Sequence, residues 1–144
     1  MLKALNKRIR PFHLAIPVHD LKICRRFYNE VMQMKEGRSD VKWVDFNFYG
    51  HQFVIHETGH KANSIYNQVD GHGVPVPHFG VVLSMEDWEK LADHLRSIKI
   101  EFIVEPYIRF KGQPGEQATM FFLDPSGNAL EFKAFKSLEK LFEK

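Results

Sequence analysis

The chain runs through one pattern twice. Residues 12–18 are Phe-His-Leu-Ala-Ile-Pro-Val and residues 78–83 are His-Phe-Gly-Val-Val-Leu. Each reads as an apolar strand that begins at or next to a histidine, and a capped amphipathic helix follows each. In the first half Asp20 offers the N-cap, and Leu21, Cys24, Phe27, Tyr28, Val31 and Met32 recur at helical spacing until Gly37 approaches. In the second, Ser84 with Asp87 makes a capping-box variant, and Trp88, Leu91, Ala92, Leu95 and Ile98 form the apolar stripe. Strand-like segments follow both helices: 43–49 and 52–56 about a Gly50-His51 turn, then 101–104, 119–123 and 128–135. A duplicated β-α-β-β-β unit predicts an α+β fold of two tandem modules whose mixed sheets curve round a cleft. The expected organisation is a basic arm at 1–10, module one at 11–57, a linker at 58–76, module two at 77–136 and a tail at 137–144. Thr58, Gly59, Asn63, Ser64, Gly71, Gly73, Pro75 and Pro77 are turn or breaker residues, so the linker is expected to hold little regular structure. A polar loop is expected over 105–117.

Composition narrows the function classes. With 144 residues, 44% hydrophobic and 26% charged, the chain can bury a real core and is not a disordered tract. Its net charge of +2 is mild, and Lys3, Lys7, Arg8 and Arg10 supply part of it as a solvated arm, so no nucleic-acid surface is read from it. No apolar run reaches the roughly 18 residues of a membrane span, and no signal peptide is evident. A single cysteine, Cys24, excludes an internal disulfide and sits among core positions of the first helix. These features predict a cytoplasmic protein.

The chemistry gathers about residues 120–132. Asp124-Pro125-Ser126-Gly127 supplies the residues of a type I turn between two apolar strands, and the second strand carries Glu131 between Leu130 and Phe132. A carboxylate in so apolar a strand needs a base, a hydrogen-bond donor or a metal. Matched places in the repeat suggest the partners. His13 and His78 open the two halves, and His56 holds the place in the first that Glu131 holds in the second. If the modules face a common cleft, these four converge as ligands suited to a divalent Fe, Mn, Ni, Zn or Co ion. Tyr107, Arg109, Lys111, Gln117 and Phe121 are the candidate substrate contacts, and Arg109 with Lys111 suggests an anionic group on a small-molecule substrate.

The order strand-helix-strands repeated, a histidine opening each half, and the Asp-Pro-Ser-Gly-Asn-Ala-Leu-Glu ending together resemble the vicinal oxygen chelate superfamily. That superfamily includes glyoxalase I, fosfomycin-resistance proteins, bleomycin-binding proteins and extradiol dioxygenases. The resemblance implies metal ligands at His13, His78 and Glu131, and a substrate bound through two neighbouring oxygens. It implies a Lewis-acid role for the metal, Glu131 as the base of a glyoxalase-like proton transfer, and a homodimer. Glyoxalase I has a Glu where this chain has His56, and the dioxygenases a Tyr where it has Phe121. The resemblance therefore implies a metal-dependent lyase, isomerase or dioxygenase; the alternative is a metal-free protein that sequesters a ligand, as bleomycin-binding proteins do.

Overall fold

Asp20 and Ser84 cap the helices as their sequences predict. The Asp20 side chain accepts from the Ile23 N–H to start α1 (Leu21–Arg26), and Ser84 accepts from Asp87 N–H to start α2 (Met85–Ser97). The first helix leaves α geometry at Phe27–Val31, a π turn, and ends at Met32. The structure, a computed structural model, describes residues 9–144, so Lys3, Lys7 and Arg8 of the arm lie outside it. The chain divides into two compact units between Ala62 and Asn63.

In the first unit β1 (His13–Val18), β2 (Lys35–Asp40), β3 (Trp43–Phe48) and β4 (His51–Glu57) form one mixed sheet in the order β1-β4-β3-β2. The first and last strands run parallel, as the repeat requires, and the remaining pairs antiparallel. Tyr28 lies fully buried against Phe53, with ring centroids 4.8 Å apart. Two expectations change here. His51 belongs to β4, because the turn is Tyr49-Gly50, whose φ values of 52° and 89° suit a tight hairpin. The polar segment Lys35–Asp40 pairs with β3 as an edge strand, which its charges conceal in the sequence.

The second unit repeats the order. Here β7 (His78–Phe79) and β8 (Val82–Leu83) are the two ends of one interrupted strand. They lie parallel to β11 (Ala129–Ala134), which pairs with β10 (Gln117–Leu123), which pairs with β9 (Phe102–Arg109). One face of this sheet carries a fully buried apolar row, Met120, Phe122, Leu130 and Phe132, and the Trp88 indole of α2 donates to the Phe132 carbonyl. Ile98 falls outside the helix stripe and is exposed.

The expected linker is corrected: β5 (Ile65–Val69) and β6 (His72–Val76) form an antiparallel hairpin. Its turn is Asp70-Gly71, both at positive φ, the pair that a type I′ turn favours. The polar loop also shortens. β9 runs on to Arg109 past Pro106, with register shifts against β10, so Tyr107 and Arg109 are strand residues and only 110–116 is loop.

Candidate functional site

Alternation along the second unit's sheet decides which side chains meet. Phe121 stands opposite Glu131, Thr119 opposite Lys133 and Tyr107, and Gln117 opposite Arg109. Directly opposed residues share a face, so these seven lie together on the side away from the Met120–Phe132 row. His78 is opposite Ala129, two places before Glu131, and joins the same side.

Glu131 is 5% exposed and fully engaged. Thr119 Oγ1 donates to its Oε1 at 2.7 Å, Lys133 Nζ lies 3.7 Å from the same oxygen, and His78 Nε2 lies 2.9 Å from Oε2. Burial, the largest single influence, pushes the carboxyl up; the bonds from His78 and Thr119 and the charge of Lys133 together outweigh it and hold the group below the usual carboxylate range. His78 is raised in turn, chiefly by its bond to Glu131, against partial desolvation.

The backbone carbonyl of Pro75 lies 2.7 Å from His78 Nδ1. A carbonyl can only accept, so Nδ1 carries a proton. His78 Nε2 then has two options: a second proton, giving an imidazolium–carboxylate pair, or a lone pair for a metal shared with Glu131. An imidazole fixed through its remote nitrogen to a carbonyl is the usual second sphere of a metal-bound histidine. The donor set thus fits a divalent ion at His78 and Glu131. An open pocket of about 240 Å³ lies over the pair, lined also by Gly80, Val82 and Lys133. Within this unit, among the described residues, no third His, Cys, Asp or Glu joins them.

His13 and His56 lie in the first unit, both exposed. Parallel register sets His13 against Gln52 and Pro17 against His56, so the two histidines are offset by four strand positions. His13 is held by a short chain: its Nδ1 lies 2.9 Å from Gln52 Oε1, and Gln52 Nε2 donates to Asp45 Oδ2 at 3.4 Å. Asp45 is buried and also accepts the Arg38 N–H. Because a carboxylate only accepts, it turns the Gln52 amide so that Oε1 faces His13. His13 therefore donates from Nδ1, which leaves Nε2 as the nitrogen that could serve as a ligand.

Four of the five candidate substrate contacts, Tyr107, Arg109, Gln117 and Phe121, share the Glu131 face of the sheet, and Lys111 lies in the loop beyond it. Tyr107 donates to Asp70 Oδ2 at 3.0 Å and accepts from Arg109 Nε at 3.2 Å, and burial is the main influence that raises its phenol. Phe121 packs with Val74 and Val104 and meets the His78 ring at 5.1 Å, edge-on. Lys111 is exposed in the 110–116 loop. Thr119, Lys133, Gln52 and Asp45 escape the sequence reading. Thr119 could have been found as the polar residue of an otherwise apolar strand, two places from Phe121.

The sequence profile described as the Glyoxalase/Bleomycin resistance protein/Dioxygenase superfamily matches residues 10–132. Among solved structures, a glyoxalase/bleomycin resistance protein/dioxygenase from Alicyclobacillus acidocaldarius is 28% identical with a TM-score of 0.79, over 92% of this chain and 96% of that one. The fosfomycin resistance protein FosX of Listeria monocytogenes is 20% identical at TM-score 0.68, over 92% and 98%. A lactoylglutathione lyase from Agrobacterium tumefaciens is 16% identical at TM-score 0.66, over 95% and 98%. Comparison with curated protein sequences returns no match. Among the described residues, no helix is long and apolar enough to cross a membrane.

Proposed function

Since the chain belongs to the glyoxalase/bleomycin resistance protein/dioxygenase superfamily, we propose that it is a metal-dependent enzyme that binds a small molecule through two adjacent oxygens. The observation that carries this reading is the geometry of His78. Its Nδ1 is fastened to Pro75 and its Nε2 meets the buried Glu131 carboxylate at the floor of an open pocket. His78 and Glu131 would hold a divalent Fe, Mn, Ni, Zn or Co ion, with His13 as a further ligand; His56 is the weaker candidate because nothing in the first unit orients it toward His13. Such an ion supplies Lewis acidity that stabilises negative charge on the substrate oxygens.

The chain's own residues favour proton transfer, the lyase or isomerase class, over oxygen chemistry. Thr119 and Lys133 occupy Oε1 of Glu131, which leaves Oε2 as the atom that takes up and returns a proton. Burial pushes the proton affinity of Glu131 up. With its Nε2 lone pair given to the metal, His78 would no longer donate to Oε2, and the bond that most lowers the Glu131 carboxyl would be absent. Phe121, fully buried, gives the substrate no hydrogen bond and packs edge-on behind the His78 imidazole.

A second reading has its own support. A doubly protonated His78 pairs with Glu131 with no further partner, so the site is electrostatically complete in a metal-free protein that sequesters a ligand. Thermal unfolding with and without a chelator separates the two. A ligand bound only by the folded state raises stability by about 2.7 kcal/mol at a hundredfold excess over its Kd, so the enzyme reading expects a lower melting temperature after chelation. It also expects the temperature to be restored by one of the five ions. An unchanged melting temperature under both treatments would favour the sequestering protein. The protein is expected to act in the cytoplasm as a homodimer.

A further inference from the structure

Arg109 is 5% exposed, yet its Nη2 has no hydrogen-bond partner among the described residues. Its Nε donates to the Tyr107 hydroxyl, and its Cζ lies 5.8 Å from the Phe121 ring centroid and 6.0 Å from that of Phe110. Those ring faces attract the cation, but they do not satisfy a buried N–H. A permanently charged group withdrawn from water with a donor left over is costly unless something else completes it.

Directly opposite on β10 stands Gln117. Its Nε2 donates to the Gly115 carbonyl, and its buried Oε1 has no partner among the described residues. The two side chains leave the sheet next to each other, on the face that carries Glu131. One charged orphan donor beside one orphan acceptor is the complement of an oxyanion that carries a donor of its own.

Two further contacts suit a ligand site rather than a packing accident. Phe121 touches both Arg109 on one side and the edge of His78 on another, so the guanidinium and the Glu131 pair flank a single phenyl ring. The β5–β6 hairpin fixes the guanidinium's bearing: Asp70 at its tip accepts from Tyr107, which receives the Arg109 Nε–H, while Val69 and Val74 pack about Tyr107 and Phe121. Nη2 is the donor that this bracing leaves over.

We propose that Arg109 and Gln117 form the subsite for an oxyanion of the substrate, a carboxylate or phosphonate with a hydroxyl or amine beside it. The oxyanion takes the Arg109 Nη2–H and the neighbouring donor meets Gln117 Oε1. The subsite's part in catalysis rests on the enzyme reading above; its binding of anions does not.

The test follows the Arg109 Nε–H resonance by ¹H–¹⁵N NMR in the full chain during titration with glycolate, hydroxymethylphosphonate and, as a neutral control, ethylene glycol. At least one anion should shift it saturably while ethylene glycol does not, and the responding probe tells carboxylate from phosphonate. Arg109→Gln, followed through neighbouring backbone amides, should weaken that anion about tenfold or more, the loss of a charge-assisted bond. Arg109→Lys should retain part of the affinity. In the absence of anion Arg109→Gln should unfold no earlier than the parent, since it removes an unmatched buried charge. A melting temperature clearly below the parent's would instead make Arg109 a structural brace and overturn the proposal. So would equal anion affinity in the parent and Arg109→Gln, or no saturable shift with either anion. Titrating Glu131→Gln as well keeps the two conclusions apart. Binding that persists in Glu131→Gln supports an anion held by Arg109 and Gln117 rather than by the metal site. Anion binding by a parent that takes up no metal even on reconstitution sinks the enzyme reading alone, and metal in the parent without an anion response sinks the subsite alone.

Discussion

Replacing Gly80 by alanine probes how closely the backbone is built round Glu131. Gly80 interrupts the strand formed by β7 and β8, and a Cβ added there would lie 1.5 Å from the Glu131 carbonyl oxygen and 2.7 Å from the carbonyl carbon. Ordinary contact is about 3.5 Å, so the strands would have to part by roughly 2 Å. Both clashing atoms are backbone, and neither can swing aside as a side-chain end would. Parting threatens the pairings on either side, Ala129 with His78 and Lys133 with Val82. Two weakened backbone hydrogen bonds at about 1 kcal/mol each, with about 1–3 kcal/mol of overpacking strain, give a destabilisation of about 3–5 kcal/mol. For a chain of this size that lowers the melting temperature by about 10 °C. Because the strain falls between the residues that place His78 and Glu131, bound metal should fall with it. Circular dichroism melts and metal content, measured on the same samples, read both effects. A Gly80→Ala protein that melts within about 2 °C of the parent and keeps its metal would refute the close approach.

Other expectations concern charge and orientation. In chelator-treated protein the His78–Glu131 pair should stabilise most between about pH 4.5 and 6.5, the ordinary values of the two groups. The raised His78 contributes fully below its ordinary value and loses that contribution as pH rises through its folded one. The depressed Glu131 contributes above its ordinary value and loses it as pH falls. The melting difference between parent and His78→Gln should therefore peak in that window; a difference that grows toward pH 9 contradicts the assignment. Gln52→Leu and Asp45→Asn should each weaken metal binding about 10- to 100-fold by freeing the His13 ring, measured by competition with a chromophoric chelator. Equal affinity in both variants would remove His13 from the ligand set. Asp70→Ala should open the hairpin to limited proteolysis near residues 65–76 while α2 stays protected, and an unchanged cleavage pattern would show that the Tyr107 bond does not hold it.

The repeat was legible because its signals are local. Asp20 and Ser84 each sit one residue ahead of an amphipathic helix, and both side chains do cap. Glu131 stood out because a carboxylate amid Leu130 and Phe132 needs a partner, and Thr119, Lys133 and His78 supply it. The β5–β6 hairpin was hidden by its own turn chemistry. A stretch dense in Gly, Pro and Asn reads as linker, although Asp70-Gly71 is also a strong hairpin signal. Tyr107 and Arg109 read as loop because Pro106 and neighbouring charges mask a strand whose irregular register no periodicity reveals. Gly80 against Glu131 and Gln52 against His13 are contacts between strands far apart in sequence, which no single segment encodes.

Metal content tests the central claim most directly. Protein expressed without a His tag and purified anaerobically would be analysed by elemental mass spectrometry beside His13→Ala, His78→Ala and Glu131→Ala, each first shown to be folded by circular dichroism. The account predicts close to one equivalent of a divalent transition metal per chain in the parent and its loss in the His78 and Glu131 variants. His13→Ala should lose metal as well, and retention in that variant would remove His13 from the ligand set. A parent that holds no metal even after reconstitution with Fe, Mn, Ni, Zn and Co would contradict the enzyme reading and leave the imidazolium–carboxylate pair of a metal-free binding protein in its place.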